Sequence, residues 1–495
     1  MARRRGSVAQ PACGQPAEVT RAEPDQRTRG GERLKAHQAG QKGTAMNGNR
    51  ISLTRRRFTA LAAVAGAGVA QPACGGGAGP GQSGGGQATL PPANLRFGHQ
   101  SGAVDEPAFA EVSAAFNTRM EARKITVQPE VLGPLADLNQ KLTTLVSAGT
   151  PPDIVYHSVR YVLSLFISKA IVELTPRMTR DSNTRPGQIA KVALDDQSWN
   201  GGQVGLPIDY ASSHLQYNRT AVATAGATDP VEAWRQNRWS WDTFLDTSRR
   251  VAKPPELWGT IVSTWDGAWP QPIWANGGEI LSDDRRTCLL DRPEAHEAVQ
   301  FMADWALRHR VAAAPGEQPA GQSFEAGHIA IAAANVTSVQ AVRQRTQAAN
   351  FEFDYVPFPV RKKAITTTFG AGVSLMANSK AQDQAWQFIS YLATEEAQLT
   401  RARITGRYPA RLGLGEKYFQ EMSFSSTSPP RNGVSVLEEI NRQARPLPYT
   451  PDWIRWRQII TDEIFTPVFA GQLNARDATA RAVPLINAVL AAEQR

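Results

Sequence analysis

The sequence predicts an α/β fold built on a parallel sheet, and the pattern between residues 94 and 158 carries that prediction. Apolar residues there recur first at the two-residue period of a strand and then at the 3.6-residue period of a helix, in the order strand, helix, strand, helix, strand. Parallel neighbours need a crossover of a dozen residues or more, and each helical stretch supplies one. The length of 495 residues is the second observation, because it exceeds one ordinary core and suits two or three domains.

Taken in order, NLRFGHQ from residue 94 is a short strand, and Asp105 precedes a helix with Phe109, Val112, Phe116 and Met120 in phase. KITVQPEVL is the next strand. In LADLNQKLTTLVSAGT the leucines 135, 138, 142 and 145 share a face, Gly149 stops the helix, and Pro151-Pro152 precede the buried strand DIVYHS. Ligands of open sheets bind beyond the carboxyl ends of the strands, which makes His99, Tyr156 and His157 candidates. GLPIDYASSHLQYN, residues 205–218, combines Gly, Pro and alternating apolar residues, as expected where an extended strand leaves one sheet for another. Helices follow at WSWDTFLDTSRRVA and at RPEAHEAVQFMADWALRHRV, the latter opened by Pro293. YVPFP at 355–359 is a second extended link. GAGVSLMANSKAQDQAWQFISYLATEEAQL then gives strand, turn and helix, and the tail from Pro451 to Glu493 is mostly helical.

The net charge of +9 invites a nucleic-acid or membrane-surface reading, but the charges are unevenly placed. Residues 1–74 hold 13 Lys+Arg against 4 Asp+Glu, whereas residues 75–495 hold 41 of each. A neutral body has no excess of cations to displace counterions from a phosphate backbone, so nucleic acid is not an expected partner. Of Cys13, Cys74 and Cys288 only the last lies in the body, so no disulfide framework can be drawn there. C-x-x-C and H-E-x-x-H spacings are absent; neither a metal nor a cofactor is expected.

The amino terminus reads as an address. LTRRRFTALAAVAGAGVA, residues 53–70, is a charged stretch before an apolar run too short to span a bilayer. Arg55 and Arg56 at its head resemble a twin-arginine export signal. Gln71-Pro72-Ala73-Cys74 and the glycine tract after it resemble a lipoprotein box with Cys74 as the lipidated residue and a flexible tether, although Gln71 stands where such boxes usually carry Leu. Residues 1–45 lack apolar periodicity, so Met46 is the expected start. The expected division is signal at 46–74, tether at 75–93, a first lobe of 94–206 plus 360–425, and a second lobe of 207–355 plus 440–495.

Several segments in order along the body resemble the extracellular solute-binding proteins of ATP-driven uptake systems, in particular the sugar-binding branch that includes maltodextrin-binding protein. They are LTTLVSAGTPPDIVY, GLPIDYASSHLQYN, WSWDTFLDTSRRVA, ANGGEI, FEAGHIAIAAANV, FGAGVSLMANSKAQDQAWQFISYLATEEAQ and GRYPAR. The resemblance implies the two-lobe, periplasmic-binding-protein-like α/β fold (type II), its lobes joined by crossing hinge strands. It implies a monomer that closes on a sugar and delivers it to the permease subunits of an ABC transporter. Links at 205–210 and 355–359 suit two crossings, and a third is expected near 425–445.

All twelve tryptophans fall between Trp199 and Trp456, and those at 258–274 are punctuated by Pro, Gly and Asp rather than spaced helically. A sugar presents an apolar C–H face to a ring and hydroxyls to polar groups, which nominates Trp265 and Trp269 beside Asp266; the alternative is that the rings pack beneath the loop. The resemblance nominates Tyr156 and His157 after the PDIV strand, with Tyr156 pointing into the sheet as the alternative. Asp209 could accept two hydroxyl hydrogen bonds beside Tyr210. Gly370 and Gly372 permit close backbone approach, or form a plain turn. His99, Arg407 and Trp453 complete the candidates.

FEAGHIAIAAANVTSV lacks an aromatic that many sugar binders carry just beyond it, which leaves open a polyol or another polar solute. A surface-anchored carbohydrate-active enzyme is the rival class. No G-x-S-x-G elbow, P-loop lysine motif or identifiable acid pair supports it, so no catalysis is expected.

Overall fold

The computed structural model describes residues 90–314, 322–336 and 339–493. The signal with Arg55 and Arg56, Cys74, the tether up to residue 89 and the expected start at Met46 lie outside the described residues. The expected alternation is present from the first strand. Strand β1 (Ala93–Gln100) leads to helix Asp105–Met120, β2 (Ile125–Gly133) to helix Leu135–Ser147, and β3 (Ile154–Ser158) directly to helix Val159–Ile167. Gly149, at φ +72°, ends the second helix in the left-handed region where a side chain would be strained.

A hairpin of β4 (Ser198–Trp199) and β5 (Gly202–Gln203) precedes β6 (Leu206–Ser212), which passes through Ser213 into β7 (His214–Asn218). β8 (Trp258–Thr260), β9 (Ile329–Ala334) and β10 (Phe353–Val356) follow, then β11 (Thr366–Leu375), β12 (Tyr408–Pro409) and β13 (Ala444–Pro446). The first sheet has the order β12-β6-β11-β3-β1-β2 with β13 on β11, and the second has the order β10-β7-β9-β8. β1 pairs β2 and β3 in parallel, whereas β11 pairs β3 and β6 antiparallel.

The chain changes sheets at Ser213, between β6 and β7, and again between β10 and β11 across 357–365. Residues 206–212 therefore belong to the first sheet. The 425–445 segment holds the helix Gly433–Arg442, which contacts both β10 and β6, and ends in β13 on the first sheet. Helices Trp241–Val251 and Pro293–Leu307 form as the periodicity predicts; Ser240 caps the former, its hydroxyl accepting from Thr243 N.

One apolar cluster runs from Leu138, Val155 and Val159 beside the first sheet to Trp269, Ile273, Trp453 and Trp456 in the second half, so the halves meet face to face. Among the described residues no helix is long and apolar enough to cross a membrane.

Candidate functional site between the two halves

The residues nominated from sequence separate into two places. His99, Tyr156, Asp209, Tyr210 and Arg407 all lie within the first half; Asp209, Arg407 and Tyr156 belong to a buried ionic network, while Tyr210 packs against Tyr408. Asp209 Oδ2 accepts from Arg401 Nη2 at 2.7 Å, with side-chain exposures of 6% and 1%. Arg407 donates to both oxygens of Asp105 and, at 3.1 Å, to Tyr156 Oη. The strand register explains the placement: Val373 pairs with both Tyr156 and Leu206, and a bulge in β6 between Pro207 and Asp209 sets Asp209 opposite Ala371, so Asp209 shares the face of Tyr156, Ala371 and Val373, where Phe109 and Ile389 pack. His99 is buried between Phe97 and Phe109, its Nδ1 donating to the Gln100 carbonyl at 2.8 Å. Tyr156 thus follows the alternative reading, with its ring in the sheet's core.

Burial by itself would raise the Asp105 carboxyl, but the hydrogen bond and charge of Arg407, the charge of Arg401 and the Gln100 amide outweigh it and hold the group below the usual carboxylate range. A carboxyl lowered by folding contributes stability that is complete above its unfolded pKa near 4 and is lost as pH falls through the lower folded value. The melting temperature is therefore expected to drop from about pH 4 downward. Asp105→Asn should blunt that drop while lowering the melting temperature at neutral pH, which an acid series of calorimetric scans would check.

His157 lies on the opposite face of β3, fully buried, with Nε2 donating to Ser374 Oγ at 2.7 Å, and burial pushes its ring down to about 3. It is a neutral packing residue. Gly372 does give close approach, but to Gln197: a Cβ there would stand 3.0 Å from Gln197 Oε1 and 2.8 Å from the Leu206 carbonyl oxygen. Gly370 is half-buried on the same face and close to Asp196.

The second place is the junction of the halves. Trp265 is half-buried and edge-on to Phe369, at 5.4 Å between ring centroids. Asp266 is buried and binds protein: Oδ2 is 2.9 Å from Arg160 Nη2, and Oδ1 accepts from Arg457 Nε at 2.8 Å and from Trp269 Nε1 at 3.2 Å. Arg160 is the second residue of the helix after β3 and Asp266 follows β8, so this bridge joins the first half to the second. Trp269 and Trp453 are core residues, at 0% and 1% exposure, against Phe465 and against Tyr449 and Trp456 respectively. These two rings follow the packing alternative.

Around the bridge lie residues that sequence reasoning missed. Asp196, at the end of helix Lys191–Asp196, is buried with no hydrogen-bond partner on either oxygen. The Tyr449 hydroxyl is likewise buried without one. Burial raises the Asp196 carboxyl well above its usual range, opposed by the Gly370 amide and Arg285. Burial also raises the Tyr449 phenol, whose charged neighbours are Asp196, Arg160 and Asp266. Only Arg160 had a sequence signal, its place just past the carboxyl end of a predicted strand. Among the described residues no group of three or more His, Cys, Asp or Glu is placed to hold a metal.

Residues 111–421, more than half of the chain, match the family model described as bacterial extracellular solute-binding protein. No curated protein sequence matches. Among solved structures, an ABC substrate-binding protein of Listeria monocytogenes in complex with cycloalternan is similar at TM-score 0.69 and 20% identity, covering 80% of this chain and 99% of that one. The cyclic alpha-maltosyl-1,6-maltose binding protein of Arthrobacter globiformis is similar at 0.66 and 21%, covering 81% and 99%. The sugar-binding protein MalE of Xanthomonas citri is similar at 0.67 and 16%, covering 81% and 98%. The fold is thus the two-lobe α/β architecture of those binding proteins, and this chain belongs to the bacterial extracellular solute-binding proteins.

Proposed function

We propose that the protein captures a sugar, mono- or oligosaccharide, outside the cytoplasm by hinged closure of its halves and hands it to the permease subunits of an ABC transporter. The observation that carries this reading is the junction itself. A half-buried ring, Trp265 on Phe369, stands beside a charged bridge assembled from both halves, so apolar stacking and polar contacts are available only when the halves meet. A solute that prefers this arrangement raises its population, and that shift is what a permease can sense. The cycloalternan complex and the cyclic alpha-maltosyl-1,6-maltose binding protein among the similar structures support the solute class.

The working protein is a monomeric binder without turnover, exported by the twin-arginine signal at Arg55 and Arg56 and held at the membrane by lipid on Cys74. Labelled fatty acid should enter the wild-type protein and be absent from Cys74→Ala.

Thermal unfolding tests the central claim. A panel of maltose, maltotriose, glucose and myo-inositol is expected to contain at least one member that, at a hundredfold excess over its Kd, stabilises the protein by about 2.7 kcal/mol. Trp265→Ala should weaken that solute about tenfold. Unchanged melting across the panel would overturn the reading.

A further inference from the structure

Asp196 and Tyr449 hold buried hydrogen-bonding capacity that the protein leaves unused. Asp196 offers two oxygens, with the Gly370 amide as a neighbour, and Tyr449 one hydroxyl that donates and accepts, with the Arg160 guanidinium as a neighbour, and none of these atoms makes a well-formed hydrogen bond within the protein. They come from different parts of the junction, Asp196 from the helix Lys191–Asp196 packed on the first sheet and Tyr449 from the segment between β13 and the helix Trp453–Ile459. The helix carrying Asp196 contacts β6, β11 and β13, and β11 presents the Gly370 amide and the half-buried Phe369 beside it.

The cations nearby are committed elsewhere. Arg160 and Arg457 both bind Asp266, and Arg285 donates to the Tyr449 carbonyl while lying 5.8 Å from the Trp199 ring. A buried polar group without a partner costs about 1–3 kcal/mol, more when it is charged. Folded proteins keep few such groups, and each calls for something that completes it. An anion brings acceptors alone, so it could meet Asp196 only in its protonated form and would face the ionised form as a like charge. An ammonium at Asp196 would meet the guanidinium of Arg285, which already acts on that carboxyl, as a like charge. Neighbouring neutral hydroxyls meet neither penalty, because a hydroxyl donates to a carboxyl oxygen and also accepts from a carboxyl proton, and it partners the phenol as well.

We propose that Asp196, with Tyr449, is the specificity-determining pair of the site, exchanging hydrogen bonds with two adjacent hydroxyls of a neutral polyhydroxylated solute. This rests on the reading of the protein as a sugar binder. It adds which residues select the solute and predicts that charged sugars are refused.

The test uses the full chain and the panel of maltose, maltotriose, glucose, myo-inositol, glucuronic acid and glucosamine, read by calorimetric titration and by melting without ligand. For the neutral member that binds wild type most tightly, Asp196→Ala is expected to lose about 30-fold or more in affinity, and Asp196→Asn and Tyr449→Phe about 5–10-fold. Glucuronic acid and glucosamine should bind at least tenfold more weakly than glucose, or not at all.

Because Asp196 is unpartnered, both of its variants should melt without ligand at or above the wild-type temperature, an outcome that a structural carboxylate would reverse. Neutral-sugar binding by Asp196→Ala within twofold of wild type would overturn the inference and leave the sugar-binding reading intact. So would a ligand-free melting temperature lowered by several degrees in both Asp196 variants. If no neutral member bound wild type at all, the reading and the inference would fall together.

Discussion

Arg401→Met is expected to lower the free energy of unfolding by about 3–5 kcal/mol, because it leaves the Asp209 carboxylate buried without its main partner. The two side chains are almost fully enclosed, and the next cation, Arg407, is 3.9 Å from Asp209 and engaged with Asp105. The guanidinium also lies 4.2 Å from the Phe109 ring centroid and 5.5 Å from that of Tyr156, contacts that methionine replaces only in part. Arg401 Nε and Nη1 have no acceptor, so the pair is incompletely satisfied even in the wild type. Removing both charges together, as Arg401→Met with Asp209→Leu, should therefore recover most of the loss. Urea unfolding at constant m-value measures all three proteins. A single-variant loss under about 1 kcal/mol would show that the network does not hold the half together. Solute affinity of the folded Arg401 variant should stay near wild type, since Asp209 faces its own half rather than the junction.

Asp266→Ala is expected to have the largest effect on solute capture, about a hundredfold loss of affinity, with a larger radius of gyration in solution scattering. Truncation leaves Arg160 and Arg457 facing each other across the junction with no anion between them. The arginine at the head of the first-half helix then repels the second half instead of binding it. Trp269 also loses the acceptor for its indole N–H. Arg160→Ala should open the halves in the same direction but less strongly, because Asp266 keeps Arg457. Unchanged scattering and affinity in Asp266→Ala would mean that the bridge plays no part in closure.

These two sites show what local pattern can and cannot reveal. The strand and helix order was legible because apolar period is a property of neighbouring residues, and so was the crossing in GLPIDYASSHLQYN, marked by Gly205 and Pro207. The crossing was expected on the link at 205–210 and lies at Ser213, just past the end of β6; the chain exchanges the partners of β6 for those of β7 across that one residue. Asp209 was nominated as an acceptor for hydroxyls, but the bulge in β6 turns it toward Arg401, and that partner lies 192 residues away. Asp266 was likewise selected as polar and near tryptophans. Its occupation by Arg160 and Arg457 depends on how the halves dock, which no local spacing encodes. Asp196 and Tyr449 were invisible for the same reason: an unpartnered carboxylate is defined by everything around it.

The passage at Ser213 fixes the kind of motion open to the molecule. Ser213 N–H donates to the Thr367 carbonyl and the Thr366 hydroxyl donates back to the Ser213 carbonyl, so the outgoing strand and the returning β11 are stitched side by side where the sheets change over. Two adjoining cords tied to each other at the pivot resist sliding and lateral shear but still yield to bending about an axis that runs across them both. The halves are consequently confined to a swing like that of a book about its spine, and a crosslink placed near the spine would leave that swing free, whereas one at the fore-edge would arrest it.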